Sequence, residues 1–241
     1  LANDRDCKKD GIISASLQMG RMMYYLFKYS CLQVFYAYGK EVKEKIYGNR
    51  LVLFAPLYVT NLCVNNCLYC AFRKDNTELI RKTLTIDEIE AEARYLVLTG
   101  QKRILVVAGE HPKKASMEFL GEAIDRIYSI NIDGNNIRRL NVNTAPLSVE
   151  DFKLLKTFGI GTYQCYMETY HYQTYKEMHL SGPKSDYAWR LYAMDRALQA
   201  GIDDVGVGAL FGLTDYKFET LALLMHAADL DSKFGIGPHT I

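Results

Sequence analysis

What the chain lacks sets the first bounds. No apolar run reaches the length that spans a bilayer; the longest are of strand length, and no membrane segment is expected. No charge of one sign dominates. Lys and Arg together number 29 against 28 Asp and Glu, and a net charge of +1 removes the case for a nucleic-acid or polyanion partner. No secretory signal is visible, although the chain opens on Leu1 rather than Met, which leaves a targeting segment open. No disulfide framework is spaced along the chain either. The six cysteines are at 7, 31, 63, 67, 70 and 165, three in one stretch and three scattered. That usage points to a reducing compartment, the cytoplasm or an organelle interior, and for an exposed cluster an oxygen-poor one.

What is present begins with Leu51 to Arg73, LVLFAPLYVTNLCVNNCLYCAFR. Its first nine residues are apolar, β-branched and aromatic, and read as a strand. Thr60-Asn61 then breaks the run, and Cys63, Cys67 and Cys70 follow as C-x3-C-x2-C. A loop of this length bends three thiolates toward one point. Two fillings stand open. Clustered cysteines without a secretory signal often hold zinc, but a structural zinc takes four ligands, usually as two C-x2-C pairs, and no second pair exists here. An iron–sulfur cluster normally takes four cysteines. Three would leave one iron open to a small molecule.

With 241 residues, 49% of them hydrophobic, the chain can bury a full core. Leu1 to Gly11 is polar and expected to fray. Ile12 to Tyr38 is apolar and aromatic-rich and reads as helices packed on the exterior or base of the fold. A charged helix from Gly39 ends at Gly48-Asn49. Residues 1–48 thus form a helical extension and 49–241 the core.

In that core strands and helices alternate. Strands are expected at Leu51–Val59, Arg103–Ala108, Ile137–Val142, Thr162–Glu168 and Asp204–Leu210, with a sixth beginning in Gly235–Ile241. Helices are expected after Thr85, whose Glu88 completes a capping box, at Ser116–Ser129, Ser148–Phe158, Tyr187–Ala200 and Tyr216–Ser232. Glycines 100, 159 and 201 stop three of them. Such alternation means a parallel sheet wrapped by helices, a (βα) TIM-type barrel, with functional groups at the carboxyl ends of the strands. Five and a half βα units do not close an eight-stranded barrel, so the barrel is expected to be incomplete and the chain a fragment.

C-x3-C-x2-C followed by an aromatic residue, at the end of a first strand, resembles the radical S-adenosylmethionine (SAM) enzymes. The blocks KEKIYGNR, LFAPLYVTNLCVNNCLYC, AGEHPKKAS, GIGTYQCYMETYH, GPKSD, AGIDDVGVGALFGLTDYKFE, LLMHAADL and FGIGPHTI narrow the likeness. From about Val42 to Ile241 they resemble the tyrosine lyases of FeFe-hydrogenase maturation and, more weakly, the thiamine-pathway 2-iminoacetate synthases. The resemblance implies a 4Fe-4S cluster on Cys63, Cys67 and Cys70 whose open iron chelates SAM. It implies cleavage of L-tyrosine to p-cresol and dehydroglycine, leading to carbon monoxide and cyanide. It also implies a reductant protein and other hydrogenase maturases as partners. A second, auxiliary iron–sulfur cluster belongs to that family, but its cysteines are absent from this chain. SAM cleavage without carbon monoxide release is therefore expected. The alternatives are the thiamine-pathway activity and a non-catalytic iron–sulfur or zinc fragment.

The same resemblance assigns roles. Ala108-Gly109-Glu110 matches a G-G-E element that receives the SAM amino group, with Ala in place of the first Gly. Glu168 would accept both ribose hydroxyls, and Arg190 would lie near the SAM carboxylate. His239, in GPHTI, would hold an extra iron near the auxiliary cluster. Gly206 and Gly208 leave no side chain on their strand, which permits either a flat ring such as adenine or tight interior packing. Tyr69 and Phe72 would border the adenine or shield the cluster from water. His111, His171 and His179 read as turn, surface or hydrogen-bonded residues, and Cys165 as a small hydrophobe.

Overall fold

The computed structural model describes residues 33, 34 and 36–241. The readings of Leu1–Gly11, of most of Ile12–Tyr38, and of Cys7 and Cys31 lie outside the described residues. The chain divides between Val52 and Leu53 into two units. In the first, residues 36–47 form helix α1. Gly48 ends it at φ 57°, and the Lys43 ammonium donates to the Gly48 carbonyl at 2.6 Å.

The second unit is built on five strands: β1 (Ala55–Thr60), β2 (Arg103–Ala108), β3 (Arg139–Asn143), β4 (Tyr163–Gln164) and β5 (Val205–Gly206). They lie side by side in chain order and every pairing is parallel. Parallel neighbours require a crossover between them. These are α2 (Ile86–Leu98), α3 (Met117–Tyr128), α4 (Val149–Thr157) and, between β4 and β5, the group α5 (Tyr172–Met178), α6 (Tyr187–Leu191) and α7 (Ala193–Gln199). Helix α8 (Tyr216–Phe234) follows β5. The sheet is not closed by hydrogen bonds; it is part of a TIM-type barrel. No helix among the described residues is long and apolar enough to cross a membrane.

Local signals set the helix limits. Thr85 and Glu88 close the capping box on α2, and the hydroxyls of Ser116 and Ser148 cap α3 and α4. Buried residues recur at Ile89, Ala93 and Val97 in α2 and at Leu120, Ile124 and Ile127 in α3, the spacing of one helical face. These faces cover Ile104, Val106, Leu140 and Val142, which point to the same side of the sheet at alternate positions. Tyr163, Cys165 and Met167 join this layer, so Cys165 belongs to the hydrophobic core between sheet and helices and not to the barrel interior. The other face carries Leu105 and Val107 on β2 and turns polar across β3 and β4, with Asn141, Asn143, Gln164, Tyr166 and Glu168.

Five expected elements change their bounds. β1 starts at Ala55, not Leu51, because its ladder with β2 begins at the Ala55–Ile104 pair, and Leu51–Phe54 are exposed. β3 starts two residues later than expected and ends one later. The fourth and fifth strands shorten to two residues each, although their ladder continues irregularly: Cys165 N–H bonds Gly206 O, Met167 N–H bonds Gly208 O, and Leu210 N–H bonds Glu168 O. The expected helix Tyr187–Ala200 is two helices, broken at Tyr192, and the loop before it contains α5.

Candidate active site

Three loops at the carboxyl ends of β1, β2 and β4 build the site. The cysteine loop leaves β1 and lies against the loop after β2. Gly109 N–H bonds Thr60 O at 2.9 Å, and Val64 N–H bonds Glu110 O at 2.8 Å. The two backbones come so close that a Cβ on Gly109 would lie 2.4 Å from the Leu62 carbonyl oxygen. Glycine is required there by contact, whereas Ala108, still in the strand, is free to carry its methyl.

On its far side the cysteine loop pairs with the segment after α5. Cys67 and His179 form an antiparallel bridge, flanked by bonds from Asn66 N–H to Ser181 O, Leu180 N–H to Asn66 O and Leu68 N–H to Met178 O. The side chains repeat the link. The Tyr69 hydroxyl lies 2.7 Å from His179 Nε2, and His179 Nδ1 lies 2.7 Å from the Tyr175 carbonyl oxygen. A carbonyl oxygen only accepts, so Nδ1 carries the proton, and Nε2 accepts from Tyr69. His179 is 2% exposed, and burial lowers its pKa to about 4, so the ring is neutral at physiological pH. Burial, then the nearby Glu168, pushes the Tyr69 phenol well above its ordinary range, and it remains a donor.

Asn65 joins the loops. Its amide nitrogen donates to Glu110 Oε2 at 2.6 Å and approaches Cys63 Sγ at 3.6 Å, and its oxygen accepts from Lys184 N–H at 2.8 Å. The Lys184 ammonium then bonds Glu168 Oε1 at 2.8 Å, with both side chains mostly buried, and lies 5.5 Å over the Tyr69 ring. Gly182 makes this packing possible. Its φ of 92° suits only glycine, and a Cβ there would meet Asn65 Oδ1 at 2.4 Å.

Glu110, Glu168 and the three cysteines thus lie on one rim, as expected from the strand order. Asn65 and Lys184 are the residues that sequence reading missed. Lys184 lies in the GPKSD block, which the sequence reading quoted without singling out the lysine. In the structure Arg190 Nε donates to the Tyr166 carbonyl oxygen at 2.7 Å. Burial opposes its charge, while Cys165, Tyr175 and Glu168 nearby outweigh that effect. Phe72 packs edge-on against Tyr58, ring centres 6.0 Å apart. The space beside Gly208 is taken by the Tyr166 ring, 2.6 Å from where a Cβ would be, and Gln164 and Thr240 adjoin Gly206.

One placement must be corrected. His239 is not at a carboxyl strand end. Its N–H bonds Val205 O, its ring nitrogen lies 3.9 Å from Asp204 Oδ1, and Asp204 precedes β5. Thr240 pairs with Gly206 while His239 lies beside Val205 and Asp204, so the last segment joins the sheet at its amino end. The ring is therefore exposed at the opposite end of the sheet from the cysteines. His111 and His171 are turn and cap residues, their Nδ1 atoms accepting from nearby backbone N–H groups.

The donor set fits an iron–sulfur cluster. Among the described residues no group of three or more His, Cys, Asp and Glu side chains closes around a single ion. Three soft thiolates, with no fourth protein ligand among the described residues, suit a cluster with one open iron better than a structural zinc. Burial pushes the Cys67 thiol up to about 11, opposed by Lys184. Loading this ligand at neutral pH therefore releases a proton.

Comparison with known proteins agrees with this geometry. Residues 57–228 match the Radical SAM superfamily. The 2-iminoacetate synthase of Salmonella typhimurium is 39% identical over 177 residues, 73% of this chain and 45% of that protein. A crystal structure of HydG, a maturase of the FeFe-hydrogenase, superposes with a TM-score of 0.81 at 54% identity, covering 83% of this chain and 44% of that one. HydG from Carboxydothermus hydrogenoformans gives 0.81 at 50% identity over 86% and 47%. The chain spans about half the length of the relatives it matches. With a family match across most of its length and the cysteine loop in place at the end of β1, the chain belongs to the radical SAM superfamily.

Proposed function

We propose that this chain is the SAM-binding, radical-generating part of a lyase that cleaves the Cα–Cβ bond of L-tyrosine to p-cresol and dehydroglycine, in the service of FeFe-hydrogenase maturation. The observation that carries it is Asn65, which links Cys63, Glu110 and, through Lys184, Glu168 in one hydrogen-bonded rim. When bound, the 4Fe-4S cluster and SAM supply a one-electron reductive cleavage that yields a 5′-deoxyadenosyl radical. Cys63, Cys67 and Cys70 would hold the cluster. Glu110, oriented by Asn65, would accept from the SAM amino group. Glu168 keeps one oxygen on Lys184 and turns the other to the ribose hydroxyls. Lys184, which bonds Glu168 on the rim, would take the cationic role toward the SAM carboxylate. Tyr69 and His179 fix the cysteine loop and keep water from it.

Identity to HydG above 50% favours the hydrogenase branch. The 39% identity to 2-iminoacetate synthase favours the thiamine branch as second reading, with the same tyrosine cleavage. The auxiliary-cluster role of His239, the reductant protein and other maturases as partners, and an oxygen-poor interior belong to this proposal. The test is anaerobic reconstitution with iron and sulfide, reduction, and electron paramagnetic resonance with and without SAM, followed by chromatography for p-cresol. A four-iron signal that shifts with SAM supports the proposal. A signal indifferent to SAM refutes it.

A further inference from the structure

Glu168 is one of two non-glycine residues at positive φ among the described residues, at 68°. A side chain in that region costs on the order of 1–2 kcal/mol, so the surroundings must impose it. On one side the segment after β5 does so, through Leu210 N–H to Glu168 O at 2.7 Å. On the other, the restraint comes from α8. Glu219 accepts the Tyr170 N–H on Oε2 at 2.9 Å and the Thr169 hydroxyl on Oε1, and Thr169 Oγ1 in turn accepts His171 N–H at 3.1 Å. His226, two turns along the same helix face, meets the Tyr170 hydroxyl at 2.8 Å.

Both Glu219 and Thr169 are 0% exposed. A carboxyl group taken wholly out of water is expensive, and an apolar side chain of similar size would usually serve stability as well. Both Glu219 oxygens are directed at the two residues that follow Glu168. We propose that Glu219 is a positioning residue for SAM binding: it clamps Thr169 and Tyr170 so that Glu168 keeps its left-handed backbone and its carboxylate stays aimed at the rim. This rests on Glu168 as the ribose ligand.

The test is a double-mutant cycle on the reconstituted chain, reading SAM dissociation constants by anaerobic calorimetry, with thermal unfolding as the folding control. Glu219→Gln leaves one acceptor where two are needed. It is expected to weaken SAM binding about tenfold, the scale on which loss of an outer partner acts. Glu168→Ala should weaken it at least as much, and in that background Glu219→Gln should change nothing further. Thr169→Val, run through the same cycle, covers the case where Glu219→Gln does not fold. Equal losses in both backgrounds, or no loss from either clamp variant while Glu168→Ala weakens binding, overturn the positioning role. If Glu168→Ala itself leaves SAM affinity intact, the ribose-ligand reading falls and the clamp's role falls with it.

Discussion

Replacing Gly182 by alanine tests how tightly the cysteine loop is held. Two costs add at this position. The backbone, at φ 92° and ψ 175°, is in a region open essentially to glycine alone, worth about 1–3 kcal/mol for any other residue. The new methyl would also lie 2.4 Å from Asn65 Oδ1, 2.8 Å from Asn65 Cα and 2.8 Å from the Val64 carbonyl oxygen. Two of those atoms are backbone and cannot rotate away, so overpacking adds about 1–3 kcal/mol. A total of about 4 kcal/mol lowers the melting temperature by about 8–16 °C in a unit of this size. Gly134 supplies the control. It has φ 80°, but a Cβ there would meet nothing within 4 Å, so Gly134→Ala carries strain alone, about 1 kcal/mol. Both variants are measured by anaerobic urea and thermal unfolding of the cluster-free protein, then by SAM titration after reconstitution. Gly182→Ala should be the less stable and should also bind SAM more weakly, because a displaced Asn65 releases Glu110. Equal stability losses in the two variants would refute the close approach of the GPKSD segment to the cysteine loop.

Three further outcomes follow from the same geometry. The buried His179 has its pKa lowered from 6.5 to about 4, so the unfolded state binds the proton first as pH falls; stability is fully present above pH 6.5 and is lost between there and about 4, by on the order of 3 kcal/mol. Urea unfolding of the cluster-free protein across that window should show the loss, and His179→Gln should flatten it. Cys70→Ala should reduce bound iron to background after reconstitution, whereas Cys165→Ala, in the hydrophobic core, should leave iron content unchanged; iron and sulfide assays decide. Lys184→Met strands the mostly buried Glu168 carboxylate, should cost about 3–5 kcal/mol in unfolding experiments, and should weaken SAM binding; unchanged SAM affinity would return the cationic role to Arg190.

Much of the fold was legible because its signals are local. Thr85 with Glu88, and Ser116 and Ser148 as caps, fix helix starts within a few residues of sequence. Glycines 100, 159 and 201 end helices at positive φ. The alternation of elements then dictates a parallel sheet and puts the cysteines, Glu110 and Glu168 at one end. What escaped depends on distant partners. His179 reads as an ordinary loop histidine until α5 brings it under Tyr69. Lys184 and Arg190 both carry a positive charge six residues apart, and only packing shows that Lys184 bonds Glu168. Tyr192 lies in an unbroken helical pattern, yet its backbone turns there. His239 fell outside the rule that functional groups sit at carboxyl strand ends, because the sixth strand is only beginning in Gly235–Ile241 and its amino end is what lies beside β5.

The bridge between Cys67 and His179 also bears on when the cofactor can arrive. Tyr69 and His179 are 110 residues apart in the chain. At about 5–20 residues per second, a ribosome takes roughly 5–20 s to make the interval. During that time the three thiols have emerged, but the segment after α5 that pairs with their loop, His179 included, has not. The nascent cysteine loop is therefore open to oxygen and to adventitious zinc before it is ready for iron. The loop reaches its final pairing only when the segment after α5 has been made and has docked against it.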